Sequence, residues 1–78
     1  MQEVSEDTLA ARISDAFPDA DVQVALDGNR AQIDVVSPVF ANMSRVKRQQ
    51  AVYALIEEEI AAGTLHAVTI RATPPAAS

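Results

Sequence analysis

Residues 21–36, "DVQVALDGNRAQIDVV", contain two short runs in which apolar and polar residues alternate. Such alternation is typical of a strand with one buried face. Between the runs, Gly28 and Asn29 both tolerate a positive φ, as a tight turn between antiparallel strands requires. The stretch therefore predicts a β-hairpin, with strands over 21–26 and 31–36. Its buried face is predicted to consist of Val22, Val24, Leu26, Ala31, Ile33 and Val35.

The segment before the hairpin, "SEDTLAARISDAF", shows helical periodicity. Leu9, Ile13 and Phe17 recur every four residues, which places them on one face of a helix. Ser5 is a suitable N-cap, and Pro18 is expected to end the helix. A helix with one apolar face is therefore predicted to precede the hairpin.

Two helical segments are predicted after the hairpin. "SPVFANM" begins with Ser37 and Pro38, which suit the cap and the first position of a short helical turn. A longer helix is predicted to start at Ser44 and to end at Gly63, a residue suited to the position after a helix. The core-facing stripe of this helix is predicted to comprise Val46, Val52, Tyr53, Ile56 and Ile60.

The last element, "HAVTIRA", is predicted to be a strand with His66, Val68 and Ile70 on one side. Roughly 30 residues separate it from the hairpin, and a helical crossover of that length suits a parallel partner strand. The predicted order is thus α-β-β-α-α-β. The predicted fold class is α+β, with a three-stranded mixed sheet and helices packed on one face.

The 78 residues suit a single domain, predicted over 5–73 with frayed ends at 1–4 and 74–78. No apolar run approaches the roughly 20 residues of a membrane span, and the N-terminus lacks the pattern of a secretion signal. Cysteine is absent, which excludes disulfides and thiolate ligands supplied by this chain. We therefore expect a cytoplasmic protein that does not contact the membrane.

Positive charge is concentrated at the start of the long predicted helix. Arg45, Lys47 and Arg48 are half of the six cationic side chains in a chain of net charge −5. They follow Ser44 at the helix end that favours acids, whereas Glu57–Glu59 lie near the end that favours bases. Two interpretations remain open.

In the first interpretation, these cations and the free N–H groups of the helix bind a phosphate or an acidic partner. In the second, they form internal pairs with acids elsewhere in the chain. Arg45 lies nearest the edge of the apolar stripe and is the expected member of an internal pair. Lys47 and Arg48 are expected to be free.

The sequence offers little from which to build a catalytic site. Its single histidine, its lack of cysteine and its two glycines exclude the common nucleophilic triads and phosphate-binding loops. The run Glu57–Glu59 is expected to form a solvated face. We therefore predict that the protein is not an enzyme. His66 is either a structural histidine beside the core or a metal ligand whose companions come from a partner.

Several motifs together resemble the BolA family, and the IbaG-like branch in particular. They are the F-x-x-x-S-R-V-x-R-Q-Q run from Phe40 to Gln50, the pair Val52-Tyr53, the strand "LHAVTI" followed by Thr-Pro, and the hairpin "LDGNRAQIDVVSPVF". The resemblance covers about residues 8–74. It implies a fold like the type II KH domain, although the Gly-x-x-Gly loop of KH domains is absent.

The resemblance also implies a partner and a cofactor. BolA proteins associate with monothiol glutaredoxins, and the pair can hold a bridging [2Fe–2S] cluster whose other ligands are a glutaredoxin cysteine and glutathione. His66 occupies the position of the family's histidine ligand at the start of the last strand. Arg30 stands about where this branch has a second histidine, and a guanidinium is not an iron ligand. The resemblance therefore implies an incomplete ligand pair in this chain.

DNA binding is the alternative function that the resemblance implies, with transcriptional control exerted through the helix that carries Arg45, Lys47 and Arg48. Three cations without a set of base-reading side chains predict a modest salt dependence and little specificity. A plain interaction module and a weak homodimer are further expectations. The leading hypothesis is a non-enzymatic adaptor in iron–sulfur cluster or iron homeostasis.

Overall fold

The computed structural model describes residues 5–75. Its elements are α1 (Glu6–Ala16), β1 (Asp21–Asp27), β2 (Arg30–Val36), a 3₁₀ helix (Pro38–Asn42), α2 (Arg45–Tyr53), α3 (Glu57–Ala61) and β3 (Ala67–Thr73). The α+β class and the predicted element order are confirmed. The frayed ends predicted at 1–4 and 76–78 lie outside the described residues, and Pro74 and Pro75 follow β3 without regular secondary structure.

The three strands form one sheet in the order β1-β2-β3. β1 and β2 are antiparallel and closed by the two-residue turn Gly28-Asn29, while β3 runs parallel to β2. Gly28 has a φ of 61°, whereas Asn29 keeps a negative φ, so only one of the two turn residues uses the left-handed region. The predicted hairpin and the mixed sheet are both confirmed.

α1 covers the inner face of the sheet next to β1. The Ser5 hydroxyl accepts a hydrogen bond from the Thr8 N–H at 3.1 Å, so Ser5 caps α1 as predicted. Leu9 and Ile13 are fully buried, as their spacing predicts. The Phe17 ring packs at 5.0 Å from the ring of Phe40, which joins α1 to the 3₁₀ helix.

The core lies between the sheet and the helices. Its buried apolar residues are Leu9, Ile13, Phe17, Ala31, Ile33, Val35, Phe40, Val52, Ile56, Leu65 and Ala72. Ser37 is also fully buried, and its hydroxyl donates to the Pro18 carbonyl at 3.3 Å. It also accepts from the Val39 N–H at 3.4 Å, so Ser37 caps the 3₁₀ helix as predicted.

The single long helix predicted from Ser44 to Gly63 is wrong. The chain forms α2, a turn over 54–56, and the short helix α3. Tight backbone bonds from Leu55 to Val52 and from Ile56 to Tyr53, both 3.0 Å, close the turn. The predicted end of the segment is nevertheless confirmed. Gly63 has a φ of 80°, and the Thr64 N–H bonds back to the Glu59 carbonyl at 2.9 Å, as in a Schellman motif.

The predicted apolar stripe of the long helix is wrong for the same reason. Val46 is 65% exposed and Tyr53 is 42% exposed, while Val52 and Ile56 are fully buried. Since the helix breaks after Tyr53, one helical wheel cannot describe residues on both sides of the break. The inner face of α2 follows i, i+3, i+4 spacing, with Arg48, Ala51 and Val52 buried or half-buried, and Leu55 in the turn is half-buried as well.

Arg12 holds the turn between α2 and α3 against α1. One nitrogen of its guanidinium, Nη1, donates to the Leu55 carbonyl at 2.8 Å and to Glu59 Oε1 at 3.0 Å. Glu59 is only 11% exposed at its side chain, so the prediction of a fully solvated acidic run is wrong at this position. Arg12 therefore satisfies a backbone carbonyl at the break and anchors α3 through an ion pair.

Candidate functional site

Predicted site residues lie in two groups at opposite ends of the sheet. We call Asn29, Arg30 and His66 the histidine end, because β2 and β3 both begin there. We call Ser44, Arg45, Lys47 and Arg48 the basic end, because these residues follow the 3₁₀ helix beyond the far end of β2. The helical crossover returns the chain from the basic end to the histidine end. Arg30 is thus separated from the other predicted anion-binding residues.

His66 directly precedes β3 and is exposed. Its backbone N–H donates to the Asn29 carbonyl at 2.8 Å, and this bond ties the start of β3 to the hairpin turn. The imidazole Nε2 lies 3.8 Å from the place where a Cβ on Gly63 would stand. The backbone position of His66 is therefore fixed, while its imidazole is open to a partner.

Arg30 is the first residue of β2 and is paired in register with Ala67, the residue after His66. The start of β2 therefore places Arg30 close to the start of β3, where His66 lies. Arg30 is exposed, and its antiparallel register partner is Asp27. It has no ion pair with any acid among residues 5–75.

The histidine end carries one side chain of a type that can ligate a metal, the exposed imidazole of His66. No group of three or more histidine, cysteine, aspartate or glutamate side chains could hold a metal ion within residues 5–75. His66 offers an imidazole nitrogen, whereas the guanidinium of Arg30 offers only donors. The donor set fits a cluster that is shared with a partner and does not fit a metal enclosed by this chain alone.

The basic end begins with a regular helix cap. The Ser44 hydroxyl accepts a hydrogen bond from the Lys47 N–H at 3.2 Å. Arg48 Nε donates to the carbonyls of Phe40 and Met43, each at 3.0 Å. Arg48 therefore closes the connection between the 3₁₀ helix and α2. The predicted roles of Arg45 and Arg48 are reversed, because Arg48 is the half-buried residue and Arg45 is exposed.

Arg45 and Lys47 remain available to a partner. Both are exposed, and the one ion pair between residues 5 and 75 is that of Arg12 with Glu59. The expected internal pairing of Arg45 with an acid is therefore wrong. The acids that seemed misplaced at the end of a long helix instead occupy the first turn of α3, where the helix dipole favours them.

The anchor between α1 and α3 changes the pKa values of both of its charged side chains. The hydrogen bond from Arg12 holds the pKa of the Glu59 carboxyl below its ordinary value, although partial burial opposes this. The same hydrogen bond raises the pKa of Arg12. This pair stabilises the helix break.

The exposed face of α2 is a surface that sequence patterns missed. Val46 and Tyr53 were predicted to face the core, yet they flank Gln49 and Gln50 on the outer side of the helix. The Gln49 amide donates to the Ile70 carbonyl at 2.7 Å, which covers one acceptor on the free edge of β3. The spacing of Arg48, Ala51 and Val52 could have indicated this orientation, since these three residues form the inner face of α2.

The sequence model of the BolA-like protein family matches residues 13–77. The chain belongs to the BolA family. This BolA protein is 46% identical over 56 residues to the acid stress protein IbaG of Escherichia coli K12, across 72% of this chain and 67% of IbaG. It is also 41% identical to an uncharacterized protein from the rpoN-murA intergenic region of Acinetobacter guillouiae, across 88% of this chain and 83% of that protein. These identities agree with the predicted IbaG-like branch.

Solved structures share the fold of this BolA protein. BolA1 from Arabidopsis thaliana superposes with a TM-score of 0.80 at 27% identity, covering 99% of both chains. Yeast Fra2 superposes with a TM-score of 0.61 at 30% identity, covering 88% of this chain and 77% of Fra2. No helix within residues 5–75 has the length and apolar character needed to cross a membrane.

Proposed function

We propose that this BolA protein is a non-enzymatic adaptor in iron–sulfur cluster or iron homeostasis. It acts in complex with a monothiol glutaredoxin and contributes His66 to a [2Fe–2S] cluster. Thiolates of the glutaredoxin and of glutathione supply two further ligands, and the fourth position, which Arg30 does not fill, takes water or another ligand from outside this chain. The observation that carries the proposal is the exposed His66 on a backbone held by the Asn29 carbonyl.

The local structure supports a ligand role for His66. An imidazole that coordinates a metal works best when its chain position is fixed by surrounding bonds. Here the N–H groups of His66 and Ala67 both point at the Asn29 carbonyl, at 2.8 and 3.4 Å, and the Schellman motif at Gly63 fixes the chain just before them. The histidine therefore approaches a partner from a defined point of the fold.

The small number of possible metal ligands in this chain supports a cluster shared with a partner. The chain has no cysteine and one histidine, so thiolates and further ligands must come from outside. Arg30 adds positive charge beside His66 without adding a ligand, and it can offset negative charge on a thiolate-ligated cluster. Histidine ligation is also expected to raise the cluster potential relative to a site with thiolates alone.

The first test is anaerobic co-expression with a monothiol glutaredoxin, followed by iron and sulfide analysis and visible circular dichroism. The wild-type complex is expected to contain iron and sulfide in equal amounts and to show a spectrum distinct from that of the glutaredoxin alone. His66→Ala is expected to abolish this distinct spectrum, because the substitution removes the only imidazole of the chain.

Lys47→Ala is the matched control, since Lys47 is also exposed but lies at the basic end. This variant is expected to keep the wild-type spectrum. An unchanged spectrum in the His66→Ala complex would show that His66 is not a ligand. Complex formation by both variants, measured by gel filtration, separates loss of the ligand from loss of the partner.

DNA binding retains one supporting observation, the two exposed cations Arg45 and Lys47 at the start of α2. Arg48 is occupied by backbone carbonyls and cannot contribute fully. Two phosphate contacts predict a salt slope of only about 2 in a log–log plot of affinity, with little sequence preference. Tight, sequence-selective binding at physiological salt that Arg45→Glu with Lys47→Glu removes would favour DNA over the cluster proposal.

A further inference from the structure

The outer surface of α2 and α3 carries one continuous stripe. It consists of Val46, Gln49, Gln50, Tyr53 and Glu57, which we call the α2 stripe. Val46, Gln49, Gln50 and Tyr53 follow i, i+3, i+4 and i+7 spacing within α2, so they share one face of that helix, and Glu57 begins α3 directly beyond the turn. Gln49, Gln50, Tyr53 and Glu57 also line a common depression of about 460 Å³ beside Ile70 of β3.

The stripe is more apolar than an exposed helix face requires. Val46 is 65% exposed and Tyr53 is 42% exposed, and both are among the few large apolar side chains on the described surface. The amides between them add polar groups that can bond across an interface. Tyrosine with adjacent apolar and amide groups is a composition typical of protein interfaces.

Charge is arranged with opposite signs at the two ends of the stripe. Arg45 and Lys47 flank Val46 on either side at one end, and Glu57 and Glu58 lie at the other. None of these four side chains forms an ion pair within the part of the chain that the structure describes. A partner that fits this surface must present acids opposite the start of α2 and a base opposite the start of α3.

We propose that the partner is a second copy of this chain. An antiparallel, two-fold arrangement of two α2 stripes places the basic start of each stripe toward the acidic end of the other. It also sets Val46 of each copy toward Tyr53 of the other, on either side of the axis. The surface is thus self-complementary in both charge and apolar character, as a two-fold interface requires.

The dimer is expected to be weak. α2 has nine residues and is about 13 Å long, so the contact is well below the roughly 1,200 Å² of a stable interface. We expect a dissociation constant on the order of hundreds of micromolar. Because the histidine end lies at the other end of the crossover, the inference does not depend on the cluster proposal.

Sedimentation equilibrium over a range of concentrations tests the proposal through charge exchange. In the two-fold dimer, residue 47 of each copy faces residue 57 of the other. Lys47→Glu therefore places the new carboxylate opposite Glu57 at both contacts, and Glu57→Lys places the new ammonium group opposite Lys47 at both contacts. Each variant alone is expected to weaken self-association about tenfold or more. An equimolar mixture of the two variants restores both attractive pairs and is expected to associate at least as tightly as the wild type.

Asp15→Lys is the matched control for Glu57→Lys, because it makes the same charge change at an exposed position of α1 outside the α2 stripe. It is expected to leave self-association unchanged or to strengthen it slightly by lowering the net negative charge. Tyr53→Ala tests the apolar contact and is expected to weaken the dimer about tenfold.

Failure of the mixed variants to associate more tightly than either one alone overturns the proposal. So does a wild-type protein that stays monomeric at millimolar concentration. Amide chemical shifts of the α2 stripe that respond to a glutaredoxin but not to the concentration of this chain would assign the surface to a foreign partner. That outcome also overturns the dimer.

Discussion

Arg48 and its two neighbouring cations differ in role although they look alike in the sequence. The Arg48 guanidinium bonds the carbonyls of Phe40 and Met43, whereas Arg45 and Lys47 extend into solvent. The difference arises because Arg48 shares the inner face of α2 with Val52. A basic run therefore combines one structural residue with two available charges.

Removal of the Arg48 side chain is expected to destabilise the fold. Arg48→Ala leaves two partly buried carbonyls without their charged donor, which costs about 2 kcal/mol in the free energy of unfolding. Arg45→Ala removes the same charge from the same helix end and is expected to change stability by less than about 0.5 kcal/mol. Urea denaturation of both variants measures the difference, and equal stabilities would contradict a structural role for Arg48.

Individual residues in the regular parts of the fold could be predicted from their spacing. Leu9 and Ile13 recur at a helical interval, and Ile33 and Val35 at a strand interval, and all four are fully buried. The structural role of Arg48 and the exposure of Arg45 could not be predicted in the same way. It depends on carbonyls that the preceding 3₁₀ helix presents, and residue type alone does not reveal them.

The break between α2 and α3 is the element that most changes the interpretation of the sequence. In one continuous helix, the acids at 57–59 would oppose the helix dipole, and Val46 and Tyr53 would face the core. With the break, the same acids begin a new helix, and the two apolar residues lie on the surface. The reversed charge pattern is therefore a consequence of where one helix ends and the next begins.

The ion pair at this break makes stability depend on pH. The pKa of Glu59 is lower in the folded state than in the unfolded chain, so its stabilising effect is complete above the ordinary glutamate value of about 4.3. The effect is lost as the pH falls through the lowered folded value. Glu59→Gln is expected to be less stable than wild type at pH 7, by about 1 kcal/mol or less because Arg12 is partly exposed.

Urea denaturation between pH 7 and pH 3 measures this dependence. The difference between wild type and Glu59→Gln should shrink as the pH falls, because the wild-type carboxyl becomes neutral. Glu57→Gln is the control, since Glu57 has no ion pair in the described part of the chain. A difference for Glu59→Gln that stays constant over this range would exclude the ion pair as its source.

Some elements of the fold are determined by residues close in sequence, and others depend on distant contacts. The hairpin, α1 and the Gly63 helix end each depend on residues close in sequence, and each was predicted. The break depends on Arg12, which lies 43 positions before Leu55. A contact between residues so far apart produces no periodic pattern in the sequence. The sequence pattern therefore predicted one helix through residues 54–56, where the chain forms a turn.

At the scale of the whole molecule, the crossover separates two surfaces with different chemistry. The histidine end brings His66 beside the hairpin turn, and the basic end presents two free cations beside the α2 stripe. The family resemblance predicted His66 as a ligand from its position in the sequence. The fold shows that Arg30 lies near His66 and that the basic cluster does not.

Pulsed electron paramagnetic resonance of the reduced complex tests the role of His66 most directly. The complex is assembled from ¹⁵N-labelled BolA protein and unlabelled monothiol glutaredoxin with glutathione, and its one-electron-reduced cluster is examined. We expect ¹⁵N hyperfine coupling from an imidazole of the labelled chain, and we expect that coupling to be lost with His66→Ala. A reduced cluster whose spectrum is the same with labelled and unlabelled BolA protein would contradict ligation by His66.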